Sequence, residues 1–233
     1  MAQVIQRHSV VTRVTHWINA IAVIILLMSG LNILNAHPRL YWGMAGSVHD
    51  PAWLVLSPIP DWATLPSIRD LATARGWHMF FIWVLVANGL LYLVWNLATG
   101  HVRRDLLPQR RELSLSHIVH EISDHARLRW ATGDADKSYN VLQKATYLAV
   151  IFVIAPLLVL TGLCMSPGFN AIAPWLVDLF GGRQTARSLH FLAASGMAAF
   201  IGIHVALVLL AGPWNLLRSM VTGRYVVREE KAA

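Results

Sequence analysis

Charge is scarce in this chain. Asp, Glu, Lys and Arg make up 13% of its 233 residues, about half of what a soluble domain carries, and only 12 of them are acidic. The single cysteine, Cys164, excludes an internal disulfide and a C-x-x-C-H site for covalent haem attachment, and reads as a packing residue at a helix end. No low-complexity linker and no repeat divides the chain, which predicts one domain over 1–233. The first apolar run lacks a small-x-small cleavage pattern, because Leu34 stands two before Ala36. It therefore reads as a span, not a removable signal peptide.

Apolar residues fill the space that charge leaves, at 56% with a mean hydropathy of +0.51. Four stretches are long enough to cross a bilayer as helices: about 14–36, 77–99, 143–165 and 188–211. Lipid offers the backbone no hydrogen bonds, so each must close its own. The expected fold is an all-α integral membrane protein, a four-transmembrane-helix bundle. Its first loop, about 37–76, is rich in Pro and Trp and suits a folded cap at the interface. Pro167, Pro174 and Gly181-Gly182 mark turns in the loop before the fourth span.

Orientation follows the basic residues. Fourteen Lys and Arg, among them Arg228 and Lys231, fall on the side of the termini and the middle loop. Five, Arg39, Arg69, Arg75, Arg183 and Arg187, fall on the other. Both termini are thus expected in the cytoplasm of a bacterial inner-membrane protein. The net charge of +7 then reads as topology and attraction to anionic lipid, not nucleic-acid binding. Within the middle loop, 114–130 alternates apolar and polar residues at helical spacing, as in an amphipathic helix on the membrane face.

Four histidines enter these spans. His190 and His204 are fourteen residues apart, close to four helical turns and about 21 Å, so they share a face. His16 opens the first span and His78 the second. Matching depth pairs His16 with His204 and His78 with His190. Neutral imidazole is the cheapest ionisable group to bury in lipid and a strong iron ligand, so each pair is a candidate axial set for a non-covalent haem b. Arg13 for the inner haem, and Arg183 and Arg187 for the outer, are candidate partners for the anionic propionates. Gly30, Gly89 and Gly196 would allow a flat macrocycle close approach. His117 and His120, three apart on the amphipathic helix, read as ordinary surface histidines.

Local motifs carry a resemblance: R-V-T-H-W-I-N at 13–19, Y-W-G-M-A-G at 41–46, R-G-W-H-M-F-F at 75–81 and G-G-R-Q-T-A-R-S-L-H-F at 181–191. Together they resemble the di-haem cytochrome b subunits of bacterial formate dehydrogenases, nickel–iron hydrogenases and, most closely, thiosulfate reductases. The resemblance implies two haems b on His16/His204 and His78/His190. It implies electron transfer between the quinone pool and a periplasmic oxidoreductase, of molybdopterin type, directly or through an iron–sulfur subunit. The stretch from Tyr139 to Lys144 is similar to a quinone-contacting segment of that family, which implies Asn140 and Gln143 as quinone contacts, with Leu142 where the family has glycine. The same two residues also fit an ordinary helix start capped by Asn140. Two other functions fit less of the sequence: a stand-alone haem b quinone oxidoreductase acting on a small donor such as superoxide, and a haem-free transporter or anchor.

Overall fold

A computed structural model describes residues 3–227; Arg228 and Lys231, counted above for topology, lie outside the described residues. Four helices are long and apolar enough to cross a membrane: α1 (Val10–Ala36), α2 (Leu71–Ala98), the third span Val141–Met165, and α8 (Arg183–Leu210). Each begins two to six residues before the corresponding predicted span and ends at its predicted end or one residue short of it. The third span is α4 (Val141–Ala149) and α5 (Ala155–Met165), joined by a π-helical stretch at Val150–Ile154. Pro156 explains that break, since it has no N–H to give the turn before it and its ring crowds the carbonyl there.

Between α2 and α4 lies α3 (Leu115–Ala126), the predicted amphipathic helix. Leu115, Val119 and Ile122 stay exposed along one of its faces. Its C-terminal end is tied to the third span, where Asn140 Nδ2 lies 3.2 Å from His125 Nε2. Just ahead of α3, Glu112 takes the buried Lys144 ammonium at 3.0 Å through both carboxylate oxygens. Two short helices, α6 (Pro167–Ile172) and α7 (Trp175–Leu179), fill the loop where turns were expected. Cys164 is fully buried against Leu176, Val177 and Ala186, the packing role its position suggested.

After α8 the chain turns at Gly212 into α9 (Pro213–Thr222), which the sequence reading did not assign. Proline at the first helical position and Gly223 just past the end were legible signals for it. Strand β4 (Arg224–Val226) then pairs antiparallel with β1 (Val4–Gln6), aligning Val4 with Val226 and Gln6 with Arg224. Gly223 sits at φ 83°, and a Cβ there would strike the Gln6 side chain. A second ribbon, β2 (Arg39–Leu40) with β3 (Leu54–Val55), lies in the Trp- and Pro-rich loop.

Packing divides the chain into two compact units, each drawing on all four spans. The first takes Met1–Asn19, Asn88–Val150 and Ile201–Ala233; the second takes Ala20–Ala87 and Ile151–Phe200. Within the first, Asn88 Nδ2 donates to Thr15 O at 2.8 Å and Asn19 Oδ1 at 2.7 Å, joining α2 to α1.

Within the second unit the Trp- and Pro-rich loop is built onto the start of α8. A helix leaves its first N–H groups without intrahelical partners. Here Gly43 O accepts from Gln184 N at 3.0 Å and Thr185 N at 3.2 Å, while Thr185 Oγ1 accepts from Gly43 N at 2.7 Å. The close approach requires glycine at 182, where φ is 116° and a Cβ would run into the Gly43 carbonyl. The motifs at 41–46 and 181–191 are therefore two halves of one junction. Ser188 completes it, fully buried, donating to Tyr41 O at 2.6 Å and accepting from Trp53 Nε1 at 2.9 Å. Replacing Ser188 with Ala leaves the Trp53 indole N–H and the buried Tyr41 carbonyl without this partner. The expected cost is about 1–3 kcal/mol, read as faster hydrogen exchange across 41–53 in detergent, and unchanged exchange there would refute the anchoring role.

Candidate functional site

Each unit holds one of the histidine pairs expected from depth. In the second, His78 on α2 faces His190 on α8 with ring centroids 6.3 Å apart and planes inclined by 58°. In the first, His16 on α1 faces His204 on α8 at 6.4 Å and 65°. Two imidazoles binding one iron from opposite sides at about 2.0 Å each bring their ring centres roughly 6.3 Å apart. Both spacings match that value, so each pair has the ring separation that two imidazoles sharing one iron require.

Small residues surround the second-unit rings. A Cβ added at Gly30 would lie 3.5 Å from His78 Cε1, and one at Gly162 would lie 3.5 Å from His190 Cε1. Of the three glycines singled out in the sequence, Gly30 alone meets a ring; Gly89 faces open space and Gly196 approaches only Ile154. Gly162 was missed, although it follows Thr161 as Gly30 follows Ser29. Those two hydroxyls lie 3.0 Å from His78 Nδ1 and His190 Nδ1.

The three candidate propionate arginines bond to backbone carbonyls, with no carboxylate at ion-pair distance among the described residues. Arg187 reaches Arg39 O at 3.1 Å and His37 O, tying the loop to α8. Arg183 donates to Met165 O at 2.6 Å. Arg13 donates to Val221 O, and its Nε is buried without a partner. Asn140 and Gln143 form a reciprocal capping box: Asn140 Oδ1 accepts from Gln143 N at 2.9 Å, and Gln143 Oε1 from Asn140 N at 3.2 Å. The box leaves the Gln143 side-chain NH2 uncommitted. His117 and His120 sit beside Glu121 and Asp124 on α3, at 3.9 and 3.2 Å.

Sequence reasoning passed over a basic cavity of about 220 Å³ in the first unit, lined by Arg7, His8, Thr12, Asn96, His101 and Arg104 among others. Arg7 and Arg104 entered only the charge count, and His8 and His101 received no role. Thr12 stands one helical turn before His16 on the same face of α1. Arg7 is steadied by aromatic faces, its guanidinium lying 4.3 Å from the Tyr225 ring centre and 5.8 Å from that of Tyr139. Burial, then the neighbouring Arg7 charge, hold the His8 imidazole down to about 4, with His16, His101 and Arg13 adding. A cavity with this lining suits a carboxylate or phosphate group.

A family model described as prokaryotic cytochrome b561 matches residues 7–223. The chain is 35% identical to the putative protein-methionine-sulfoxide reductase subunit YedZ1 of Azospira oryzae over 212 residues, covering 91% of this chain and 93% of that protein. No solved structure matches significantly.

The low pKa of His8 has a consequence for stability. The folded chain protonates His8 only near pH 4, whereas an unfolded chain does so near 6.5. Above 6.5 neither state binds the proton; between 6.5 and about 4 only the unfolded state does, so stability falls as pH falls through that window. His8→Gln should flatten that decline, measured as thermal unfolding in detergent at several pH values from 7.5 to 4.5.

Proposed function

Because the chain belongs to the prokaryotic cytochrome b561 family, whose members are haem b membrane electron-transfer proteins, we propose that it binds two haems b and carries electrons from membrane quinol to a partner reductase. His78 and His190 would hold one haem and His16 and His204 the other. The observation that carries this reading is the pair of opposed imidazole couples at 6.3 and 6.4 Å, one in each unit. When bound, the haems supply one-electron redox chemistry between a two-electron donor and a two-electron acceptor.

The chain's own residues supply the rest. The four imidazoles bind iron as neutral ligands. The basic cavity beside His16 receives the anionic edge of its haem, taking over the part first given to Arg13. Arg183 and Arg187 flank the loop junction at the His190 end of α8 and remain the candidates for the other haem. Gln143, whose NH2 is clear of the capping box, is the donor for a quinone carbonyl, with Asn140 fixing the helix start that presents it. The basic-residue bias supports a cytoplasmic side for both termini and these quinone contacts, and the whole chain would act as a single functional domain.

The relative in Azospira oryzae is named as a methionine-sulfoxide reductase subunit. That name moves the partner from the thiosulfate-reductase type to a reductase of oxidised methionine; its molybdopterin and any iron–sulfur intermediary rest on the earlier resemblance alone. The balance is simple: quinol gives two electrons and two protons to become quinone, and a sulfoxide takes two of each to become a thioether and water. The folded Trp-rich loop is the docking surface this scheme uses.

Purified full-length protein should contain two non-covalent haems per chain by reduced-minus-oxidised spectrum and pyridine haemochrome. His190→Ala should retain one, and two haems retained in that variant would overturn the ligand assignment. Superoxide-dependent quinone reduction by the isolated chain would instead favour the stand-alone oxidoreductase.

A further inference from the structure

Ser29 on α1 and Thr161 on α5 stand in the same relation to the two rings of the second unit. Each hydroxyl oxygen is 3.0 Å from a histidine Nδ1, Ser29 at His78 and Thr161 at His190. Each also lies against the carbonyl four residues back, Ile25 O at 2.7 Å and Leu157 O at 2.6 Å. A hydroxyl has one proton, and a carbonyl can only accept. The shorter contact to the carbonyl, the usual back-bond of a helical hydroxyl, takes the proton, and the hydroxyl oxygen is then the acceptor for a ring Nδ1–H. Both imidazoles are left with their lone pair on Nε2, the atom free to face a metal.

The next residue repeats as well. Gly30 and Gly162 follow the two hydroxyl residues, and a Cβ at either would stand 3.5 Å from the ring Cε1 and 3.8 Å from Nδ1. The two sites agree to 0.1 Å at every one of these contacts, and they come from different helices with similar flanking sequence, I-L-L-M-S-G-L at 25–31 and L-L-V-L-T-G-L at 157–163. Ser29 and Thr161 are both fully buried. In the first unit His16 meets Trp17 and His204 by ring contact, with no hydroxyl on its nitrogens among the described residues.

We propose that Ser29-Gly30 and Thr161-Gly162 are paired positioning elements that select the Nδ1–H tautomer of His78 and His190, fix their ring planes and tune the haem between them. The proposal rests on the reading that these two histidines bind one haem. An acceptor on Nδ1–H pushes electron density toward Nε2, which favours ferric over ferrous iron and lowers the midpoint potential. The hydroxyl is a moderate acceptor because its own proton is committed to a carbonyl, so the tuning is finer than a carboxylate would give. The glycine leaves the ring room to lie against the helix, and the hydroxyl holds its rotation about χ2.

Detergent-purified full-length Ser29→Ala, Thr161→Val and Thr161→Ser should be compared by haem content, potentiometric titration and ferric low-spin EPR, whose g values follow the angle between the axial imidazole planes. The Ala and Val variants should keep two haems, with one of the two midpoints moved upward, its EPR signal shifted and the other haem unchanged. Thr161→Ser, which keeps the hydroxyl, should restore both wild-type values. Loss of one haem in Thr161→Val with full retention in Thr161→Ser would support the same role. Two haems with unaltered midpoints and EPR in the Ala and Val variants would overturn it, as would loss of the haem in Thr161→Ser. The ligand reading fails separately, by two haems remaining in His190→Ala.

Discussion

A polar group inside a bilayer has only the chain itself for a partner, and that constraint orders most of this structure. Leaving such a group unpaired costs several kcal/mol in hydrocarbon, so the buried polar side chains are where the helices are joined. Asn88 fastens α2 to α1 through Thr15 O and the Asn19 side chain. Asn32 holds the loop carbonyls of Pro66 and Ile68. Ser188 closes the junction between loop and helix. Membrane hydrogen bonds contribute modestly one by one, about 0.6 kcal/mol on average. Their larger effect is on register, because a helix that slid by a residue would strand several donors at once.

The histidines are the costliest members of that set and are placed accordingly. Each pair brings two imidazoles to a spacing that leaves room for one thin object between them, and the second-unit pair has both outer nitrogens engaged by hydroxyls. Such an arrangement gives the two ring nitrogens different surroundings: Nδ1 meets a hydroxyl of the protein, and Nε2 is left for another partner. Methionine or lysine, each with a single polar or ligating heavy atom, could not divide the work in that way.

Length and hydropathy made the four spans legible, because crossing a bilayer demands a run that nothing else in the chain imitates. The histidine pairing was legible for a related reason, since depth in the membrane is fixed by distance along a helix. Ser29 and Thr161 were not, because a hydroxyl in an apolar helix usually serves its own backbone, and only the neighbouring ring reveals a second duty. The role of Arg187 also needed the fold: its partners, the carbonyls of His37 and Arg39, are about 150 residues away in sequence. Helix α9 was missed for a different cause. Its ten residues are too few and too polar to stand out by hydropathy, although Gly212-Pro213 and Gly223 punctuate both of its ends.

The ribbon of β1 with β4 joins residues 4–6 to 224–226, and Arg7 N donates to Gly223 O beside it. During synthesis the first of these strands leaves the ribosome long before the second exists. The first unit therefore stays open at this seam until residue 226 has been made, well after His204. The second unit, whose segments end at Phe200, has all its parts earlier. Translation thus delivers the two histidine pairs in a fixed sequence, His78 with His190 before His16 with His204, and the ribbon closes the first unit only after both.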